Sequence, residues 1–590
     1  MIVVCPKCGA NNRVPDSLET GEGYFCGKCK TRLSYVTRTA NAMGANSHAT
    51  KTAADKRKET VTIFMKSFLG NVAFHPLLLA MVFILQFYSG NVVEVSPSEI
   101  AMPIAISLGF TSLIFLLSWL ILRDIRKTGL ILSAFLVLFF YFGILLKIVR
   151  GWAEVGTPRP LIWLILAIIG ITVFIAFAFF IVRTRRDLYK PTFILNAVSA
   201  FLLLIPAANI VVHETSVAQK DSQVSSTIGL GTPSVPGDEI MPDVYYIVLD
   251  RYASTNTLKE VFDFDNIEFM SYLYQKGFYV ASESRCNYVK TDESLASSLN
   301  MEYLDDLSKK LGKEFDDFGP IYKKLQDYSV WRFLNSKGYE FIHIGSWWGP
   351  TMENIYADKN LNYTKMPYFS RFLFENTLAY HLCIKANVIE DRHTVHRNCI
   401  LYAFNKLAEI PNIEAPTFVF AHVLATHPPY VFNADGSYLT AIEASKRTEQ
   451  VNYIAQLQFI NKEVEGLIDT ILSKSVVPPI IILQADEGPF PAGTDFRDFK
   501  WQDASQAQLQ EKMRILNAYY LPNIDSANLY LSITPVNSFR VIFNLYFATD
   551  LELLPDKSYA YAARNPYEFF DVTDRVMYQS EGSITRSTNE

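Results

Sequence analysis

The sequence predicts three parts of different fold class: a small N-terminal cysteine ribbon, a region of five membrane-spanning helices, and a large α/β domain beyond them. Three observations predict this. A C-x2-C-x17-C-x2-C quartet opens the chain, five apolar runs lie between residues 72 and 212, and short β-rich runs alternate with helical periodicity after residue 242. The 590 residues are 50% hydrophobic, 14% aromatic and only 19% charged, with a mean hydropathy of +0.12. Such a composition excludes a disordered chain, a collagen-like chain and a small disulfide scaffold. The net charge of −5 argues against nucleic acid as the partner of the whole chain. That total is an average: residues 213–590 hold 33 Lys/Arg against 49 Asp/Glu, a net −16, and the preceding residues are basic.

The quartet is Cys5, Cys8, Cys26 and Cys29, in the motifs CPKCG and CGKC, where Gly9 and Gly27 let backbone amides approach the sulfurs. The spacing fits a four-thiolate structural zinc site, with a redox dithiol pair as the alternative. A segment of this size cannot bury enough core to fold alone, and a structural zinc supplies on the order of 10–16 kcal/mol. We expect the ribbon over residues 1–35 and a linker over 36–71. The stretch CPKCGANNRVP resembles the zinc ribbon at the front of some bacterial thioredoxins, which assigns no activity. A cytosolic protein partner is one use for such a module.

A helix needs roughly 20 apolar residues to cross a hydrocarbon core of about 30 Å. Four runs fit, at 101–122, 129–149, 161–182 and 193–212; a fifth, at 72–88, is shorter and carries His75 and Pro76 near its start. Orientation follows the basic flanks. Lys51, Lys56, Arg57, Lys58 and Lys66 precede the first run. Arg123, Arg126 and Lys127 follow the second, and Arg183, Arg185, Arg186 and Lys190 follow the fourth. The loop at 91–100 has two glutamates and no basic residue. The expectation is a multi-pass protein of a bacterial-type inner membrane, with a cytoplasmic N-terminus and everything after residue 213 periplasmic or extracellular. Thiols stay reduced on the inner side, which suits the quartet. On the outer side Cys383 and Cys399 could form a disulfide or remain thiols.

Residues 213–241 are rich in Ser, Thr, Gly and Pro and read as a second linker. In the domain beyond it, at 242–590, three strand-like runs end in chemically unusual residues. DVYYIVLD ends at Asp250, PIIILQADEGP carries Asp486 and Glu487, and TFVFAHVLATHPP carries His427. Ligands in open α/β sheets bind beyond the carboxyl ends of strands, so converging acids there suggest a metal. The bland alternative is that each acid merely opens a turn.

The motifs YYIVLDRYAS, SRCNYVKTDESLASSLNMEYLDDL, FVFAHVLATHPPYVF and IIILQADEGPF resemble those of the membrane-bound, sulfatase-like branch of the alkaline phosphatase superfamily. Five spans, a linker and an outer catalytic domain form a layout similar to that of lipoteichoic acid synthases. The resemblance implies an α/β fold of the alkaline phosphatase/sulfatase type, with Asp250 and Asp486 as metal ligands and Thr291 as nucleophile and ligand. It also implies that His427 contacts the transferred headgroup and that His343 and Trp348 contact substrate. Arg540, in SITPVNSFRVIFNLY, is a candidate phosphate contact or a structural ion-pair residue.

Thr291 also has a physical case. It precedes an apolar helical run at 295–301, so its hydroxyl would lie at a helix N-terminus, where backbone amides favour phosphate oxyanions. A cation would ionise that hydroxyl; the alternative is an ordinary N-cap threonine. One departure stands out. Where the family has Asp-His, this chain has Asp486-Glu487, which makes the expected shell Asp250, Thr291, Asp486 and Glu487 all oxygen. Such a shell favours manganese, magnesium or calcium over zinc. No outer cysteine lies in a Cys-x-Pro-x-Arg motif, so the formylglycine route to sulfate esters is excluded.

The leading expectation is a membrane-anchored, metal-dependent transferase or hydrolase of phosphodiester headgroups, with envelope lipids and glycans as partners and no nucleic acid. The alternatives are a catalytically inactive envelope sensor or scaffold, and a phosphodiesterase of soluble substrates.

Overall fold

A computed structural model describes residues 71–152, 159–221, 241–492, 494, 499–524, 528–562 and 565–578, with the short pieces 2–4, 11–13, 24–25, 28–30 and 32–33. It separates into two units, residues 1–66 and 67–590.

In the first unit, β1 (Ile2–Val4) pairs antiparallel with β2 (Asn11–Arg13), and β3 (Tyr24–Phe25) with β4 (Arg32–Leu33). In sequence, one Cys-x2-Cys pair falls between the two strands of each pairing. Cys5, Cys8 and Cys26 themselves lie outside the described residues.

In the second unit all five apolar runs are helical, but five full spans do not result. The helices are α1 (His75–Ser89), α2 (Ala101–Leu122), α3 (Ile125–Phe140), α4 (Phe142–Trp152), α5 (Arg159–Arg183) and α6 (Tyr189–Asp221). Three are long and apolar enough to cross a membrane by themselves, and α3 with α4 makes a fourth only as a pair bent by 49°. α1 has 15 residues, about 22 Å at 1.5 Å per residue, short of the hydrocarbon thickness. The break at Tyr141 coincides with a contact from the outer domain. The Gly143 amide donates to the Asn376 carbonyl at 2.8 Å, and a Cβ on Gly143 would lie 2.7 Å from the Asn376 Cα. Only glycine permits that approach.

The two basic loops meet: Arg126 pairs with Asp187 at 2.6 Å, and Lys127 donates to the Val182 carbonyl. The loop at 91–100, which lacks basic residues, instead touches the outer domain, where its Val93 carbonyl accepts from the Phe318 amide. The 22 residues of α2 separate these two levels by about 33 Å.

The outer domain is built on a seven-stranded mixed sheet. Its strands are β5 (Val244–Leu249), β6 (Tyr279–Val280), β7 (Glu340–Ile344), β8 (Lys359–Leu361), β9 (Thr417–Val423), β10 (Ile480–Gln484) and β11 (Asn517–Tyr520), in the order β6-β11-β10-β5-β9-β7-β8. The five strands from β10 to β8 are parallel, and β11 and β6 add an antiparallel edge. Along β5, Tyr245, Ile247 and Leu249 enter one core and Val244, Tyr246 and Val248 the other. Burial on both faces is why this strand reads as a continuous apolar run rather than an alternating one.

Six outer helices surround the sheet's carboxyl edge or link the domain to the membrane helices: α7 (Thr291–Asn300), α8 (Tyr368–Glu375), α9 (Leu378–Lys385), α10 (Arg392–Leu407), α11 (Glu449–Lys474) and α12 (Gln506–Met513). α7 packs Leu295, Ala296 and Leu299 into the second core. α8 seats Phe369 and Leu373 among Phe83, Tyr88, Leu136 and Phe140 of the membrane helices, joining the outer domain to them. Cys383 on α9 and Cys399 on α10 are not disulfide-bonded.

Candidate active site

β10, β5 and β9 lie side by side at the centre of the sheet, and their register sets the site. Gln484, Val248 and His422 are level across the three strands. Asp486 and Asp250 each lie two residues further on, just beyond the strand ends. A parallel sheet exposes its carboxyl edge to ligand, so this is where chemistry is expected.

One donor atom from each of Asp250, His422 and Asp486 falls within 4.8 Å of the others, and all three residues are buried. Asp250 Oδ1, His422 Nε2 and Asp486 Oδ2 make no hydrogen bond. Buried polar atoms left without hydrogen bonds in such a cluster are costly unless a cation takes them, so the residues fit a divalent metal. Burial opposes charge on the His422 ring, but Asp250, Asp486 and Glu487 outweigh it and raise its pKa. Burial, then the neighbouring Asp250, pushes Asp486 up to about 6.

The imidazole is oriented from behind. His422 Nδ1 bonds to the Thr351 hydroxyl at 2.8 Å, leaving Nε2 to face the carboxylates, as a metal-ligating histidine requires. His343 does not face a substrate. It is buried in β7, its Nε2 donates to the Thr351 carbonyl at 2.9 Å, and burial lowers it to about 4. It thus supports the residue that holds His422. Trp348 is brought to the site, edge-on to the His422 ring at 5.9 Å.

Thr291 arrives from α7. Lys290 is the N-cap and Thr291 the first helical residue, so the capping role open to Thr291 falls to its neighbour. The Thr291 side chain lies beside the Asp486 carboxylate and opposes the rise in that group's pKa. Asp292 and Glu293 in the same turn are buried. Burial pushes Asp292 up to about 7 and holds Glu293 well above the ordinary carboxylate range. A protonated Glu293 leaves the helix N-terminus favourable to an anion.

Glu487 has a different place from the one expected. Its Oε1 accepts from Lys512 Nζ at 2.7 Å and from Arg251 Nε at 3.1 Å, and Lys512 is 0% exposed. Burial pulls the Lys512 ammonium down to about 8 against the pull of Glu487. The carboxylate is occupied by two cations, so the converging donor set is Asp250, His422 and Asp486 rather than four oxygens. One imidazole among two carboxylates admits zinc alongside the harder cations. Arg540 is also placed differently. Its Nε donates to the Met301 carbonyl at 2.8 Å and its Nη1 to the Glu552 carbonyl at 2.6 Å. Met301 caps the far end of α7, about 15 Å of helix from Thr291, and Nε and Nη1 both donate to backbone there.

His427 packs its ring at 5.8 Å from Trp347. Its Nδ1 bonds to the Pro428 carbonyl, so Nδ1 carries the hydrogen and Nε2 presents a lone pair. Burial, then Arg251 and His396, holds its pKa well below the ordinary value. The neutral ring accepts a proton or hydrogen bond at Nε2 and has none to give there. Beside it, Trp347, Tyr368, Arg371, Arg392 and Pro429 line a small cavity.

His422, Arg251 and Lys512 escape a reading of the sequence. His422 had a signal, since a histidine near the end of the apolar run TFVFAHV is the same cue that marks Asp250 and Asp486. Lys512 carries none beyond its place on an amphipathic helix.

The fold and site together define a membrane-associated α/β protein with a candidate metal centre at the carboxyl edge of its sheet. The chain is similar to the integral membrane lipooligosaccharide phosphoethanolamine transferase A (EptA) from Neisseria meningitidis, at 12% identity, covering 81% of this chain and 95% of that one, with a TM-score of 0.38. It is similar to the C-terminal periplasmic domain of EptC from Escherichia coli in complex with Zn, at 13% identity, covering 56% of this chain and 93% of that one, with a TM-score of 0.37. It is also similar to the putative sulfatase yidJ from Bacteroides fragilis, at 14% identity, covering 55% and 83%, with a TM-score of 0.33. No protein-family model and no curated protein matches the chain.

Proposed function

We propose that this chain is a membrane-anchored, metal-dependent phosphodiester headgroup transferase or hydrolase that acts on envelope lipids or glycans through Thr291. The observation that carries the reading is the convergence of one donor atom from each of the buried residues Asp250, His422 and Asp486, with Thr291, at a helix N-terminus, beside Asp486. Asp250, His422 and Asp486 would hold a divalent cation, which supplies a lowered pKa for the threonine hydroxyl and charge neutralisation for the phosphate.

The chain's own groups account for the remaining steps. Thr291 Oγ attacks phosphorus; the P–Oγ bond forms and the bond to the lipid alcohol breaks. Asp486 takes the hydroxyl proton, and the departing alkoxide takes one from water, leaving a hydroxide that the proton taken up by His427 in the second half neutralises. In the second half, His427 Nε2 accepts the proton of an incoming hydroxyl, from a glycan, a lipid or water. That oxygen bonds to phosphorus, and Thr291 leaves with the proton that Asp486 returns. Amides at the start of α7 stabilise the non-bridging oxygens. α8 lines the cavity beside His427 and packs on the membrane helices, which supports delivery of a lipid headgroup.

The N-terminal quartet fits a structural zinc ribbon. In sequence, each Cys-x2-Cys pair falls between the paired strands of one hairpin, which supports that reading.

The test uses the full chain in detergent. Bound metal is measured by mass spectrometry, and release of diacylglycerol from phosphatidylethanolamine and phosphatidylglycerol is followed for the native chain and Thr291→Ala. The expected result is a metal-containing native protein that turns over lipid and forms a phosphate adduct on Thr291, with turnover and adduct both lost in the variant. A native chain with neither metal nor turnover refutes the proposal.

A further inference from the structure

Arg251 sits between the donor group and His427, and three features set it apart. The first is its backbone. It follows Asp250 directly with φ +65°, a left-handed conformation that ordinary side chains rarely adopt. Glycine would occupy that position without strain, yet the chain places its longest cationic side chain there.

The second is the way the guanidinium is held. Its Nε donates to Glu487 Oε1 at 3.1 Å, Asp250 Oδ1 lies 3.8 Å away, and its central carbon stands 4.3 Å from the Phe490 ring centroid. Lys512, fully buried, bonds to the same Glu487 oxygen and to the Gly488 carbonyl at 3.0 Å. Glu487 is thereby fixed on its far side, and Arg251 is fixed by Glu487.

The third is what stays open. Arginine carries five N–H donors. Among the described residues, only the Nε–H of Arg251 makes a hydrogen bond, although its side chain is 11% exposed. The four Nη hydrogens form the planar fork that matches two oxygens of a phosphate. They belong to a residue adjacent to Asp250 and within electrostatic reach of His427.

We propose that Arg251 is the phosphate-binding residue of this site, its Nη edge gripping two non-bridging oxygens of the phosphodiester while Glu487 and Lys512 hold the guanidinium in place. The inference rests on the phosphodiester reading above and adds the group that recognises the substrate's charge. It also gives Glu487 a purpose: the carboxylate that stands next to Asp486 positions a cation of the chain instead of ligating a metal.

The experiment is calorimetric titration of inorganic phosphate into the metal-loaded full chain in detergent, with metal content measured on every sample. The variants are Arg251→Gln, Arg251→Lys and, to remove the guanidinium while releasing the left-handed strain, Arg251→Gly. Hydrogen bonds to a charged group predict a loss of about 10- to 100-fold in phosphate affinity for Gln and Gly. Metal should be retained, and Lys should recover part of the loss. Phosphate affinity within about twofold of the native value in Gln and Gly, with metal retained, overturns the proposal. Loss of metal from both also overturns it, since Arg251 would then be shaping the donor group. Thr291→Ala keeps the two readings apart: it should bind phosphate and lack turnover. If phosphate affinity depends on Arg251 but native lipid turnover is absent, the anion site stands and the transferase reading fails.

Discussion

Replacing Lys512 by methionine gives the sharpest test of how the site is wired. The ammonium is 0% exposed and lies 2.7 Å from Glu487 Oε1, 3.0 Å from the Gly488 carbonyl and 3.6 Å from the Phe490 ring centroid. Methionine fills the stem's volume but leaves Glu487, 2% exposed, with Arg251 Nε as its sole cationic partner among the described residues. Breaking a buried pair by removing one member costs about 3–5 kcal/mol, because the remaining charge stays desolvated. Glu487→Gln should cost a similar amount by stranding Lys512. The double substitution removes both charges, so its cost should fall well below the sum, with a coupling of about 2 kcal/mol or more. The assay is urea unfolding of the outer domain in the full chain in micelles, followed by tryptophan fluorescence; Trp501 lies 5.9 Å from Lys512 Nζ. Additive costs, with a coupling under about 0.5 kcal/mol, would refute the pairing. Metal affinity decides the rest. Glu487→Gln should lose no more than about 100-fold in metal affinity, the most a partner outside the metal shell costs, and a larger loss would return Glu487 to that shell.

Three further outcomes are expected. Asp250→Asn and His422→Ala should each lose bound metal from the outer domain without unfolding it, and retention of stoichiometric metal by either would rule out the triad. Thr291→Ser should keep a substantial part of any turnover and Thr291→Ala none; equal activity in both would remove the nucleophile role. Burial pushes the Glu511 carboxyl up to about 7 from an ordinary value near 4.5, with Lys512 opposing and Glu449 adding to the rise. The folded state then holds a proton that the unfolded state has released. Its stability contribution is complete below about pH 4.5 and is lost as pH rises to about 7. Thermal midpoints from pH 4.5 to 8 should fall less steeply for Glu511→Gln, and parallel curves would contradict this.

Much of the site was legible because its cues are local. An acid at the end of a fully apolar strand marks Asp250 and Asp486 without knowledge of any neighbour, and Thr291 is marked by the helix it begins. His422 carries the same cue but lies inside its strand, five residues before the more conspicuous His427 and its Pro-Pro breaker. Glu487 and Arg540 take unexpected places for a shared reason. Each is a charged residue in a plausible segment, and each is claimed by partners distant in sequence: Lys512 and Arg251 for the first, the Met301 and Glu552 carbonyls for the second.

By itself the sequence determined the apolar helices, the two-sided burial of the sheet and the carboxylates at its edge. These follow from hydrophobic periodicity and charge, which act over a few residues at a time. Tertiary structure alone decided that β10, β5 and β9 would be adjacent and in the register that gathers Asp250, His422 and Asp486. It likewise decided that Glu487 would meet two cations and that the third apolar run would break where Asn376 presses on Gly143. Those outcomes depend on which surfaces come to face each other across hundreds of residues, and no local pattern carries that choice.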